Sequence, residues 1–429
     1  MSKMDIKQLE QLTISNIQQL VQINTVRDED HKEAGKPFGP GIYNGLQAFV
    51  DMASSIGMDT FIDPDGYYAY SEIGPKDQPM IGILAHIDTV GLGDASQWTQ
   101  ASALSGEIVD DKIIGRGSLD DKGPLVINLM AIKGLIDSGY QFKHRVRVIV
   151  GGAEETTWEG INKYKQEQEI PIIGYTPDAE FPLINGEQGI VQFSIKGPGS
   201  DHIKVTTNNS INAVCDFVEA NVNGETISFE GKAAHAMEAH KGDNAINKLV
   251  LSSKIDDNSL VPFIKDHLLA VHGQDLFSDI SNETMMVNIG NIFINQEASM
   301  IQIDIRLPLN VDGDAFINNF KELVKNYNLE AEVIKYQPQL YVDEDSSLVK
   351  LLLDVYNTKM NTNAKSLQTG GGTYARAFDN FVALGLVFSE FDMIDKMHQA
   401  NECLEIKFIK PALEIYMKAI QGIDNLELK

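Results

Sequence analysis

Two apolar runs that each stop abruptly in polar residues constrain this chain most. Residues 80–85 are continuously apolar and run into Ala85-His86-Ile87-Asp88. Residues 146–150 form a second run, which ends in Gly151-Gly152-Ala153-Glu154-Glu155. Between them, Leu125, Leu129, Ile132 and Ile136 fall on one face of a helix spanning 123–139, with Gly139 placed to close it. Short apolar runs suit buried strands. Strand, polar cluster, helix, strand, polar cluster is the rhythm of an α/β sheet, in which ligands bind at the carboxyl ends of strands. Both polar clusters sit at that end. An earlier helix is predicted over 41–56, with Ile42, Leu46, Phe49, Val50 and Ala53 on one face.

The middle of the chain follows a different period. From about Gly189 to Gln337 it alternates apolar and polar residues, as at 190–195, 225–230 and 300–307, with helix-like stretches near 243–251 and 314–327. Helix and strand patterns then resume and end in a helix near 411–423. The predicted fold class is therefore α/β: one discontinuous domain built from 1–188 and 339–429, with an α+β domain inserted at 189–338.

Charge and cysteine content exclude several functions. The 429 residues carry 35 Lys+Arg against 61 Asp+Glu, a formal charge of −26. A surplus of that sign argues against nucleic acid and against an anionic membrane surface as partners. No apolar run approaches the ~18–20 residues of a membrane span, and residues 1–26 lack the apolar core of a signal peptide. Only two cysteines are present, Cys215 and Cys403, which is no disulfide framework and points to a reducing, cytoplasmic setting.

Chemistry-bearing residues recur at the strand ends. Residues i and i+2 on a strand point the same way, so Asp88 is placed to receive the second ring N–H of His86, as a carboxylate often does for a metal-binding imidazole. Residues 115–124 read Gly-Arg-Gly-Ser-Leu-Asp-Asp-Lys-Gly-Pro, offering Asp120 and Asp121 just before a helix start. Glu154 and Glu155 lie at the second strand end, where one can bind metal and its neighbour can serve as general base. Asp178 and Glu180 follow in Pro177-Asp178-Ala179-Glu180. His398 stands in Met397-His398-Gln399-Ala400-Asn401-Glu402. Each alone reads equally as a helix cap or a surface group. Together, two His and several carboxylates are the ligand types of a two-metal hydrolytic site, with zinc or manganese both suited.

The order of these motifs resembles the zinc aminoacylase/carboxypeptidase family, which includes acetylornithine deacetylase and succinyl-diaminopimelate desuccinylase. Asp120-Asp121-Lys122-Gly123-Pro124, Pro177-Asp178-Ala179-Glu180-Phe181-Pro182, Ile184-Asn185-Gly186-Glu187-Gln188-Gly189 and Gly370-Gly371-Gly372-Thr373-Tyr374 are similar to its PepV-type dipeptidase branch. The resemblance implies a catalytic domain with a mixed sheet flanked by helices, plus an inserted lid. It implies two Zn2+ per chain, with Mn2+ or Co2+ as alternatives. His86, Asp120 and Asp178 would hold one ion; Asp120, Glu155 and His398 would hold the other. Asp88 would orient His86. Glu154 would act as general base on a metal-bridging water, and the peptide bond after Asp120 would be cis. In the lid, Gly231-Lys232-Ala233-Ala234-His235-Ala236 matches a motif whose His stabilises the oxyanion. Arg306 would grip the substrate carboxylate, with Asn212, Gly371, Gly372 and Thr373 as further substrate contacts.

The implied function is hydrolysis of dipeptides. Alternatives are an aminoacylase or deacylase of the same family, and a zinc-bound binding protein without catalysis. The stretch from Gly189 to Gly231 is intermediate in length between PepV-type lids and those of dimeric relatives. Monomer and homodimer therefore both remain open, as does whether His235 acts on its own chain or a partner's.

Overall fold

The computed structural model describes residues 5–276, 284–388 and 396–428. The chain forms two compact units. The first comprises Met1–Asn185, Val342–Leu367 and Thr373–Lys429, and the second Gly186–Tyr341 with Gln368–Gly372.

In the first unit the strands run side by side in the order Asp59–Ile62, Tyr68–Ile73, Arg145–Gly151, Met80–His86, Ile173–Thr176 and Phe381–Ala383. The first two join antiparallel to their neighbours, and the remaining four are mutually parallel. Every residue of Met80–His86 and of Arg145–Gly151 is buried, which is why these strands read as apolar runs rather than alternations. Their register sets His86 opposite Gly151. The residues that follow each strand therefore emerge at one end of the sheet.

Helices Ile6–Val21, Lys122–Asp137 and Ile409–Asp424 pack on one another. Helix Pro40–Ser55 packs on the two antiparallel strands, and its Pro40 occupies the first turn, where a missing N–H is harmless. Lys122–Asp137 differs from its predicted one-sided pattern, since nearly its whole circumference is buried. It lies between the two other helices and strand Met80–His86, and a helix enclosed that way is apolar all round. The N-terminal segment, polar overall, is nonetheless helical. Asp5 caps it by accepting from the N–H of Lys7, and Leu9, Ile14, Ile17, Leu20 and Val21 face inward.

The second unit is built on a seven-stranded antiparallel sheet. Its order is Glu225–Glu230, Phe217–Val222, Ile203–Thr206, Met286–Ile294, Ala298–Leu307, Gly189–Pro198 and Glu330–Gln337. Helices Ala245–Leu251, Leu260–His267 and Gly313–Lys325 contribute to the core this sheet builds, where Phe193 stacks on Phe320 at 4.4 Å between ring centroids. Residues 368–372 cluster with this unit rather than with the C-terminal part of the first. Their backbone is tied there: Thr369 O accepts from the N–H of Gln188 (2.9 Å) and Gly370 O from Arg306 Nη1 (2.7 Å). No helix among the described residues is long and apolar enough to cross a membrane.

Candidate metal centre and active site

The carboxyl ends of three parallel strands supply most of the candidate residues. His86 ends Met80–His86, Glu154 and Glu155 follow Arg145–Gly151, and Asp178 follows Ile173–Thr176. Asp120 arrives from the loop before helix Lys122–Asp137, with the Asp120–Asp121 peptide bond cis. His398 comes from an irregular segment close to the C-terminus.

Two groups of ligand-type atoms gather: His86 with Asp120 and Asp178, and Asp120 with Glu155 and His398. Asp120 belongs to both. Its Oδ1 lies 3.0 Å from His86 Nε2, and its Oδ2 lies 2.8 Å from His398 Nε2. Asp178 Oδ2 is 3.6 Å from His86 Nε2, and Glu155 Oε1 is 3.0 Å from His398 Nε2.

Orientation shows that these residues fit divalent cations. His86 Nε2, Asp120 Oδ1 and Glu155 Oε1 are buried and have no hydrogen-bond partner among the described residues. Yet each lies about a hydrogen-bond length from an oppositely charged neighbour. In the first group such atoms aim at a common point instead of at one another; in the second, Glu155 Oε1 is unpaired beside the His398 Nε2–Asp120 Oδ2 bond at 2.8 Å. Unpaired buried polar groups are expensive, and a cation in each group would satisfy them. Imidazole and carboxylate are ligands of zinc, with manganese also served by the carboxylates.

The electrostatics agree with that fit. Burial opposes a charged His398, but the facing carboxylates of Asp120 and Glu155 outweigh it and push its pKa up to about 11. His86 is raised in the same way by Asp120, Asp178 and Asp88 against a burial penalty. Glu154 is held well above the usual carboxylate range by burial first and then by Glu155, Asp178 and Asp88, with His86 opposing. A carboxyl tuned upward suits a proton acceptor working near neutral pH.

These shifts predict how the metal-free protein responds to pH. The raised imidazole of His398 favours the fold below its unfolded value of 6.5, and this is lost as pH rises toward 11. Burial and the nearby Asp120 raise Glu402 from 4.5 to about 7 although Arg116 opposes them, so ionising it costs stability over that interval. Asp120 is lowered, and its contribution is constant above 3.8. His398 and Glu402 act in one direction, whereas the buried Lys122, lowered by desolvation from 10.5 to about 7, acts in the other once pH exceeds about 7. Between about pH 5 and pH 7 the melting temperature of chelated protein should fall, by roughly 2–4 °C per kcal/mol lost. The zinc-loaded protein should change far less. Thermal scans with and without chelator check this, and a chelated midpoint that rises over the window contradicts it.

Asp88 stands beside His86 and makes further bonds of its own. The ring Nδ1 of His86 pairs with the backbone oxygen of Asp88 at 3.0 Å, while the nearer carboxylate oxygen is 3.6 Å away. The carboxylate accepts the N–H groups of Glu154 (3.0 Å) and Glu155 (3.1 Å). The physical reason is the turn after Gly151: with Ala153 at φ 67°, it points two successive N–H groups at one acceptor. Asp88 thus fixes the Glu154–Glu155 turn, and its main chain orients His86. Asp121 supports the same strand end, accepting from the N–H of His86 at 3.0 Å.

The remaining candidates, Thr373 apart, lie in the second unit. Asn212 and His235 are neighbours there: Asn212 Nδ2 is 3.5 Å from His235 Nε2, and Asn212 O accepts from the N–H of Ala236 (2.8 Å). His235 Nδ1 accepts from the N–H of Met237, capping the short helix Ala236–Lys241. Arg306 is 3% exposed and held by the wholly buried Asp304 through Nε at 2.6 Å and Nη2 at 3.2 Å. Gly371 donates its N–H to Thr369 Oγ1 at 3.0 Å, and Gly372 follows it at the edge of this unit. Thr373 belongs to the first unit, where its hydroxyl accepts from the N–H of Ala375.

Known proteins bear on this arrangement. Residues 82–422 match the model of Peptidase family M20/M25/M40. A protein of Staphylococcus aureus (strain USA300), named "Putative dipeptidase", is 31% identical over 473 aligned positions that cover 99% of both chains. Among solved structures, a di-peptidase of Saccharomyces cerevisiae superposes with a TM-score of 0.66 at 13% identity, covering 99% of this chain and 98% of its own. Human carnosine dipeptidase 1 does so with a TM-score of 0.65 at 13% identity, covering 98% of each. The two solved structures share the fold. The matched span contains every candidate ligand from His86 to His398, and the chain belongs to the peptidase family M20/M25/M40.

Proposed function

We propose that this protein is a dinuclear, metal-dependent dipeptidase of the PepV type. One observation carries the reading: Asp120 is shared between two converging ligand groups, with a pKa-raised Glu154 beside them. Two zinc ions, bound by His86, Asp120 and Asp178 and by Asp120, Glu155 and His398, would polarise the scissile carbonyl and acidify water. Glu154 then takes the proton from the attacking water and delivers it to the leaving amine. Asp88 holds Glu154 in place through its backbone N–H. His86 is kept in one orientation by the main chain of Asp88.

Roles in the second unit follow the family resemblance. His235 would donate to the oxyanion, where a fixed donor is most effective because charge develops there in the transition state. Arg306 would receive the substrate carboxylate, with Asn212, Gly371, Gly372 and Thr373 as further substrate contacts. The guanidinium fork suits a carboxylate, and Asp304 pre-orients it. The division into a catalytic domain at 1–188 and 339–429 around a lid at 189–338 belongs to the same reading. So does a cytoplasmic location, supported by two buried, unpaired cysteines.

The test is a panel of dipeptides set against N-acetyl and N-succinyl amino acids, with zinc, manganese or cobalt restored after chelation. Dipeptides should turn over only with metal, and faster than the acyl amides. Preference for the acyl amides would make the protein a deacylase instead.

A further inference from the structure

A buried ion pair has no part in the reading above. Glu402 is 0% exposed and Arg116 2% exposed. Glu402 Oε2 accepts from Arg116 Nη1 at 2.6 Å. Its Oε1 accepts the backbone N–H groups of Gly117 (2.9 Å), Leu119 (3.0 Å) and Asp120 (3.4 Å). The loop that presents Asp120 is therefore wrapped around one carboxylate, a curl that Gly117 permits at φ 88°.

Arg116 reaches the other way. Its Nη1 donates to the carbonyl of Gln399 (3.3 Å), and its Nη2 donates to those of His398 (3.2 Å) and Gly91 (3.2 Å). The guanidinium lies 5.5 Å from the centre of the Trp98 ring. One ion pair thus ties together the segment carrying Asp120, the segment carrying His398 and the segment after Asp88.

The His398 segment needs such a tie. Its residues 396–402 belong to no helix of four turns or strand, and His398 and Asn401 both have positive φ, at 63° and 62°. The His398 side chain is 46% exposed; besides Arg116, the segment is held by Asn401, which accepts from the N–H groups of Thr99 (2.9 Å) and Gln100 (3.0 Å) and donates to Gln97 O (2.9 Å). A buried ion pair is in general no more stabilising than apolar residues of the same volume. Its value here lies in geometry: zinc demands nitrogen and oxygen ligands about 2.0–2.2 Å from one point, and groups behind the ligands set that spacing.

We propose that Glu402 and Arg116 are positioning residues that fix the distance between Asp120 and His398, and so set the metal affinity of the Asp120–Glu155–His398 group. The proposal rests on the dinuclear reading. Its test uses the full chain carrying Glu402→Gln or Arg116→Lys, which keep size or charge but lose the bonding pattern. Zinc equivalents and affinities are measured by competition with a chromophoric chelator, beside thermal midpoints and steady-state kinetics. The wild-type chain should bind two equivalents. Each variant should bind the Asp120–Glu155–His398 equivalent about 10–100-fold more weakly, with the other equivalent weakened by no more than that because it shares Asp120. At limiting zinc kcat should fall with KM within about twofold, and excess zinc should restore it.

Two equivalents bound with wild-type affinity in Glu402→Gln, even with a lowered melting temperature, would show a merely structural role and overturn the proposal. If Glu402→Gln does not fold, Arg116→Lys decides by the same criterion. A wild-type chain that binds fewer than two equivalents overturns the dinuclear reading itself, and the proposal with it.

Discussion

Glu154→Gln should lower kcat for a dipeptide by about a thousandfold while leaving both metal equivalents bound. The size follows from the 10²–10⁴ that general acid–base catalysis typically contributes. The selectivity follows from position. Glu154 is in neither ligand group, and its placement depends on its backbone N–H, which donates to Asp88 at 3.0 Å. An amide side chain leaves that bond intact and cannot accept the proton. KM should change little, since the lost interaction belongs to the transition state. Activity within about tenfold of wild type would remove Glu154 from the role of base.

Asp120→Ala should have the other large effect, and on binding rather than turnover alone. Asp120 alone faces both imidazoles, Oδ1 toward His86 and Oδ2 toward His398. Removing it takes a ligand from both groups at once. Partners behind a ligand are worth about 10–100-fold in affinity, so loss of the shared ligand should exceed about 100-fold at each position and leave no measurable hydrolysis. His398→Ala is the contrast: it strips one group and should retain one tight equivalent. Elemental analysis after dialysis separates the two variants. Two retained equivalents in Asp120→Ala would show that it is not shared.

Much of this candidate site is legible in the sequence alone. The runs at 80–85 and 146–150 announce buried parallel strands because both faces are covered, and their abrupt ends place His86, Glu154 and Glu155 at the carboxyl edge. Asp120, Asp178 and His398 had no such local signal. They became candidates through the joint order of motifs, since each alone reads as a cap or a surface group.

Contacts made at long range stayed hidden. Arg116 and Glu402 are 286 positions apart, and only the Arg between two glycines at 115–117 hinted that a side chain was wanted inside that loop. The bonds from Glu154 and Glu155 to Asp88 stay hidden too, because spacing along a strand says where a side chain points, not which N–H groups a later turn will bring to it. Residues 368–372 join the second unit through backbone bonds to Gln188 and Arg306, which apolar patterning does not encode. The all-round burial of Lys122–Asp137 reflects neighbours that the helix's own periodicity cannot reveal.

The central claim is that hydrolysis depends on two ions held through Asp120. Its most direct test is to titrate chelated, full-length protein with zinc while following hydrolysis of one dipeptide. The account predicts no activity at zero zinc and a rise that levels off at about two equivalents per chain. Full activity in the chelated protein, or a dipeptide left uncleaved at saturating metal, would contradict it.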